Sequence, residues 1–278
     1  MFEIPEYVTL ARQMAESLSG KRIVNGTLGN SPHKFVWYNR KPDEFAAIVK
    51  GKTTGLAYCR GRWLFIPIQQ GYMLVFGECG GRIRLHESES QLPKKYHLSL
   101  HFDDGSFLSA TTQMWGAMEL YEEGKELQRQ HIKGMRTTPI DQKFSLAYLS
   151  ALIEECANEG SRSVKGLLTQ DQLIPGLGNS IAQDIMFKAK LHPKQSISGL
   201  SKAQIKNLHE AIVKTVAEVI RQGGRNDETD LYGNRGKYKR IMDKKAAGRP
   251  CPECATIVEK MAYLGGACYY CPECQSIA

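Results

Sequence analysis

Cys251, Cys254, Cys271 and Cys274 stand as C-x2-C-x16-C-x2-C near the end of a 278-residue chain. A CxxC turn aims two sulfurs at one point, and two such turns complete a tetrahedral shell. A four-thiolate shell has no open position, so the spacing predicts one structural Zn2+. A disulfide framework is the alternative, and a reducing compartment disfavours it. Cys268 is a substitute ligand by position, but the paired spacing favours Cys271. Cys59, Cys79 and Cys156 lie scattered in apolar or mixed surroundings and are expected to be buried thiols. Between the pairs, TIVEKMAYLGGACYY (256–270) reads as two short strands around Gly265–Gly266, a β-hairpin. A hairpin that small needs its metal to fold.

A second set of residues suits phosphate. In PGLGN (175–179) the glycines let backbone N–H groups approach an anion, and the helix that follows adds its positive end. Asn179 would sit at that N-terminus, able to cap it and to reach a phosphate. Taken alone, the same five residues read as an ordinary corner between two helices. From Arg235 to Arg249 the chain carries seven Lys or Arg, Lys237 and Lys239 among them, and one acid; Gly236 and Gly248 loosen it. Such a stretch suits counterion-releasing contact, or is a solvated linker.

These groups need elements to position them. Residues 8–19 read as a helix stopped by Gly20. Residues 22–121 read as β-rich: RWLFIPI, YMLVFGE, RIRLHES and YHLSLHFDDGSFLSA are short apolar or alternating runs, and DDG at 103–105 signals a hairpin. After the polar stretch 133–142, helical spacing returns at 144–160, stopped by Gly160, at 163–172, within 173–193, stopped before Pro193, and at 201–224, with a serine start and a double-glycine stop. The expected fold is α+β and multidomain. A β-sandwich with a helix spans 1–132, a helical domain with the two-turn corner and basic loop spans 133–245, and a four-cysteine zinc hairpin spans 246–278.

The totals narrow the partners. The formal net charge is +8 and the pI about 9.0, which puts an anionic partner first, nucleic acid above others. No run of 18 apolar residues exists, so no membrane span is expected. The start MFEIPEYVT lacks the basic-then-apolar order of a signal peptide, and a cytoplasmic protein is expected.

Three segments together resemble one family. MFEIPEYVT, LLTQDQLIPGLGNSIAQDIMFKAKLHP and the cysteine hairpin ending YYCPECQ are similar, in order and spacing, to the Fpg/Nei family (formamidopyrimidine-DNA glycosylase / endonuclease VIII) over essentially the whole length. The resemblance implies a helix–two-turn–helix fold, binding to double-stranded damaged DNA, and a glycosylase/AP lyase that flips a base out of the duplex. In the family an N-terminal α-amine, usually of proline, forms a Schiff base at C1′. An α-amine has a pKa of ~7.7–8.0, so far more of it is neutral at pH 7 than of a lysine. By position, Glu3 matches the proton-handling glutamate, Glu6 the second carboxylate, and Lys165 and Asn179 the phosphate-binding pair. Without the resemblance, Glu3 and Glu6 read as surface carboxylates near a chain end.

The match is uneven. Phe2 replaces the proline, and its bulk is expected to keep Met1 in place and shift the amine by one residue. Arg62 stands where the family carries an assisting lysine and cannot shuttle a proton. Gly266 stands where the hairpin carries a phosphate-gripping arginine. Where the family fills the space of a flipped base with Met, Arg and Phe, the nearest residues are Glu78, Gln113 and Trp115, and only Trp115 suits a wedge. Segment 223–233 is expected to be the base-covering loop, although Asp227, Glu228 and Asp230 fit that role poorly. The resemblance therefore implies a monomeric, nucleoid-associated DNA glycosylase/AP lyase with an altered nucleophile. The alternative is a catalytically silent protein on the same fold that reads DNA or RNA.

Overall fold

The first helix starts at the fourth residue. In the computed structural model, which describes residues 1–31, 33–77 and 81–277, α1 spans Ile4–Leu18 and so begins four residues before the expected start. The Glu6 carboxylate reaches back to accept the Glu3 backbone N–H at 2.9 Å, and Pro5 lies in the first turn, where its missing N–H costs nothing. Tyr7, Leu10, Ala11, Met14 and Leu18 form the buried stripe.

That stripe faces a two-sheet core. One sheet has the order β1-β7-β8-β6, from Ile23–Thr27, Leu98–Phe102, Phe107–Thr112 and Gly81–His86. The other has the order β2-β9-β5-β4-β3, from Val36–Trp37, Gly116–Glu122, Tyr72–Gly77, Trp63–Ile68 and Tyr58–Arg60. Ile23, Leu100 and Leu108 of the first meet Leu64, Ile66, Leu74, Phe76 and Met118 of the second in one cluster. This is the expected sandwich, and the DDG signal falls between β7 and β8, with Gly105 at φ +84°. The run WLFIPI is apolar throughout because β4 is covered on both faces: Trp63 and Phe65 join a second cluster with Met73, Val75 and Ile132. Among the expected buried thiols, Cys59 is half-buried and Cys156 buried; Cys79 lies outside the described residues.

Among the described residues, one α-helix was not expected. Helix α2, Pro42–Val49, buries Phe45 and Val49 one turn apart. It lies so close on β1 that a Cβ at Gly26 would come 2.5 Å from Val49 Cγ2.

The chain divides into two compact units, Met1–Met135 with Gln222–Lys237, and Arg136–Arg221 with Tyr238–Ala278. The acidic segment after the long helix thus returns to the first unit, and the cysteine hairpin shares the second with the helices. The second unit holds α3 (Leu146–Glu159), α4 (Val164–Thr169), α5 (Asn179–Lys188) and α6 (Lys202–Arg221). Ser145 and Ser163 cap α3 and α4 through Tyr148 N and Gly166 N, both at 3.1 Å. Helix α4 is shorter than expected because Asp171 and Gln172 take φ of 53° and 50°, outside the helical region. Strands β10 (Glu259–Tyr263) and β11 (Gly266–Tyr270) make the predicted hairpin. Its turn is Leu264–Gly265, one residue earlier than expected, both at positive φ. That is the backbone sign a two-residue hairpin turn requires.

The basic stretch 235–249 is not a loose linker. Asp184 of α5 is fully buried and accepts from Tyr238 Oη at 2.8 Å, Ile241 N at 3.0 Å and Met242 N at 2.7 Å. Burial pushes the Asp184 carboxyl above its ordinary pKa, and those donors oppose the shift. Tyr238 and Met242 are buried, while Lys237, Lys239, Lys244 and Lys245 stay exposed. No helix of the described residues is long and apolar enough to cross a membrane.

Candidate active site and zinc hairpin

In the N-terminal unit the chain start meets a residue 224 positions away. Arg225 is 1% exposed. Its Nε and Nη2 donate to Glu6 Oε1 and Oε2, both at 3.0 Å, and its backbone N–H also reaches Glu6 Oε1, at 2.9 Å. Nη2 donates to the Met1 carbonyl at 2.9 Å, and Nη1 lies 3.8 Å from Glu3 Oε1. Glu3 and Glu6 are 3% and 4% exposed, so they are not the surface carboxylates that the sequence alone indicated. Burial works against the Arg225 charge. Glu6 and Glu3, then Glu228, more than offset it, and the guanidinium pKa is raised. A planar fork bonding both oxygens of one carboxylate is the geometry that makes a buried ion pair tolerable.

The free amine belongs to this cluster. The Met1 ammonium lies 3.1 Å from Glu228 Oε1. The Phe2 side chain is fully buried in the core, edge-on to Tyr7 at 5.9 Å. The acids that fitted a base-covering loop poorly thus have partners: Glu228 holds the amine, and Asp230 accepts from Gln13 Nε2 at 2.9 Å and from Asn234 N at 2.7 Å. Sequence reasoning missed Arg225. Its only signal is one arginine heading an acid-rich run just after a double-glycine helix stop.

The other expected residues of this unit lie in turns. Arg62 is half-buried in the two-residue turn joining β3 to β4. Gln113 and Trp115 are exposed in the turn before β9, which Thr112 Oγ1 closes by donating to Trp115 O at 2.8 Å. Glu78 lies outside the described residues.

In the helical unit, α5 carries the hairpin. Gly178, not Asn179, is the N-cap; Asn179 is the first helical residue. Its Nδ2 donates to Ala267 O at 3.2 Å, and one turn later Gln183 Oε1 accepts Tyr269 N at 2.7 Å. Four helical residues rise about 6 Å and two strand residues about 6.6 Å, so α5 and β11 match in step. Gln183 was not picked out from sequence. Lys165 is 1% exposed and directs Nζ at the Tyr263 carbonyl, at the hairpin turn. Lys165 and Asn179 are therefore brought together with the hairpin, each holding one of its carbonyls.

Cys251, Cys254, Cys271 and Cys274 place their sulfurs within 4.8 Å of one another. The cross pairs Cys251–Cys274 and Cys254–Cys271 stand at 3.9 and 3.4 Å. A tetrahedron with Zn–S of about 2.3 Å has edges near 3.8 Å, so the cluster fits zinc. Glu253 N and Cys274 N donate to the Cys251 and Cys271 sulfurs at 3.5 and 3.4 Å. Buried Gln275 supports the shell: Oε1 accepts Cys271 N at 3.0 Å and Nε2 donates to Leu191 O at 2.9 Å. Cys268 is buried in β11 and is not part of the cluster.

A sandwich unit that buries two glutamates beside a chain-terminal amine, and a helical unit whose corner grips a four-cysteine hairpin, define the class of Fpg-like folds. The comparisons agree. Residues 1–117 match the family model for the formamidopyrimidine-DNA glycosylase N-terminal domain, and residues 136–230 the model for the formamidopyrimidine-DNA glycosylase H2TH domain. The formamidopyrimidine-DNA glycosylase of Bacillus cereus is 28% identical over 284 residues, covering 99% of each chain. That of Listeria innocua is 28% identical over 280 residues, covering 99% of this chain and all of its own. The fold matches Lactococcus lactis Fpg in complex with DNA containing an abasic site, at a TM-score of 0.86 and 24% identity. It also matches the Fpg protein of Thermus thermophilus, at 0.82 and 21%; each covers 99% of both chains. The chain belongs to the Fpg/Nei family.

Proposed function

We propose that the protein is a DNA glycosylase/AP lyase of base excision repair whose nucleophile is the Met1 α-amine. The observation that carries the reading is the placement of that amine in the cluster that buries Glu3 and Glu6 around Arg225. Relatives of matching length are formamidopyrimidine-DNA glycosylases, which supports the same chemistry here. The neutral amine attacks C1′, the glycosidic bond breaks with its electron pair leaving on the base, and Glu3 handles the proton. Once the attached nitrogen has lost a proton, its lone pair expels O4′, the C1′–O4′ bond breaks as O4′ takes up a proton, and the opened sugar is the Schiff base from which β- and δ-elimination nick the strand. Arg62 in this scheme holds phosphate and moves no proton. Lys165 and Asn179 fix the zinc hairpin, and the exposed Lys237 and Lys239 meet the DNA backbone. The zinc, with four thiolates and no open position, holds shape and takes no part in the reaction.

The ion pair tethers the amine to Glu228 at 3.1 Å, and that contact must open before the amine can reach C1′. Borohydride trapping on an abasic duplex should therefore give an adduct that maps to residue 1. Glu228→Gln, which keeps the shape and removes the charge, should raise the trapping rate several-fold. If neither protein forms an adduct while a proline-starting relative does, the lyase reading is lost. A second reading then stands, supported by the paired amine and the core-locked Phe2: a protein that binds damaged DNA, or a structured RNA, without cutting it.

A further inference from the structure

The chain has three tryptophans, and all three line one cavity of about 510 Å³ in the N-terminal unit, with Gly77, Glu119, Arg129, Gln130 and His131. That volume lies within the ~300–1,000 Å³ of small-molecule sites.

The floor is built and closed. Trp63 is 2% exposed, and a Cβ at Gly77 would come 1.9 Å from its ring, so only glycine leaves the indole seated. The Arg129 guanidinium lies 4.4 Å from the Trp63 ring centroid and its Nε bonds Glu119 Oε2 at 2.6 Å. Tyr121 Oη donates to the same oxygen at 3.0 Å. The walls are open. Trp37 and Trp115 are 48% and 45% exposed, with centroids 6.5 Å apart and planes tilted by 34°. A planar ring held between two others needs about 7 Å, at about 3.5 Å per contact, so one of the two exposed indoles turns outward from the present 6.5 Å as the ring enters. Both walls are anchored by backbone: β2 pairs with β9 through Val36–Gly116 and Trp37–Ala117. The turn carrying Trp115 is tied by Thr112, whose N–H donates to the buried His97 Nδ1 at 2.9 Å.

We propose that this cavity seats an unpaired nucleobase between Trp37 and Trp115, over Trp63, with the exposed Gln130 and His131 at its polar edge. A flat ring with two aromatic faces and a hydrogen-bonding rim uses every part of the site. An aliphatic group would leave the edge residues idle. A cation is disfavoured because Arg129 already covers Trp63 and neutralises Glu119. The base reaches the site either within a DNA strand, in which case the inference rests on the DNA-binding reading above, or as a free base.

Because no tryptophan lies elsewhere, intrinsic tryptophan emission reports this cavity alone. Guanosine and adenosine should quench it saturably. A duplex with one unpaired base should quench more strongly than the same duplex fully paired. Trp37→Leu should weaken binding of the unpaired-base duplex about ten-fold, the size of one base–ring stack, without a matching loss for the paired duplex. Trp37→Phe, which keeps a ring, should recover most of it. Absence of quenching by both nucleoside and unpaired-base duplex overturns the inference, as does an equal Trp37→Leu loss on both duplexes. Nucleoside quenching without any DNA binding would keep the seat and sink the DNA reading. DNA binding without quenching would do the reverse.

Discussion

Arg225 sits 219 residues from Glu6 in sequence and satisfies both its oxygens. Residue types near the chain start said that carboxylates were present; only the fold could say that one guanidinium joins Glu6, Glu3, Glu228 and the Met1 carbonyl. Local spacing carries no information about a pairing of that range, which is why Glu3 and Glu6 were legible through resemblance alone. The pair is 2% and 4% exposed at the side chains, so solvent screening does not discount it. Arg225→Met should leave two buried carboxylates without their cation and cost about 3–5 kcal/mol, the range for breaking a buried pair from one side. Urea unfolding at neutral pH measures this. Arg225→Lys should recover part of the loss, since a point charge cannot span both oxygens. A cost below about 1 kcal/mol would mean that the cluster does not hold the chain start.

Elements were the more legible scale, wherever the signal was local. Ser201, Gly160 and the double glycine at 223–224 marked helix ends because caps and positive φ act over three or four residues. The CxxC pairs marked the hairpin for the same reason. The early start of α1 was hidden because its signal is one carboxylate folding back on one backbone N–H. Helix α2 was hidden because eight residues offer only two buried positions. The docking of α5 on β11 was invisible, since Asn179 and Gln183 look like any polar residues on a helix. This docking makes metal removal a test at the element scale. The hairpin has few buried apolar residues apart from Val258, Cys268 and the ligands, so thiolate–zinc bonds supply its folding energy. Stripping zinc with a strong chelator should unfold 246–277 and release the carbonyls that Lys165 and Asn179 hold. The remaining helices should persist. Amide exchange should then rise in β10 and β11 and change little in α3, and metal analysis should return one zinc per chain. Protection of β10 and β11 that survives full zinc loss would show that the hairpin stands without the metal.

At the scale of the whole molecule, composition carries the sign and amount of charge, +8, but not its presentation. The stretch 235–249 holds its lysines outward because Asp184 draws the backbone at Ile241 and Met242 inward. Tyr238 is buried beside exposed neighbours. An anchored row of cations loses less freedom on meeting a phosphate backbone than a loose one, so each lysine should count nearly in full. Binding of an abasic duplex, followed by fluorescence anisotropy between 50 and 200 mM salt, should fall linearly in log–log form. Each phosphate neutralised contributes about 0.9 to the slope. Lys237→Ala and Lys239→Ala should each lower that slope by about one while weakening paired and abasic duplexes alike, because phosphate contacts carry no sequence or lesion information. Asp184→Ala gives the control for anchoring. It keeps every lysine, so a weaker affinity with a nearly unchanged slope is expected, the cost falling on ordering a released segment. A slope unmoved by either lysine variant would place the DNA contact elsewhere on the molecule, and a flat salt response in the unmodified protein would remove the electrostatic basis of the DNA reading altogether.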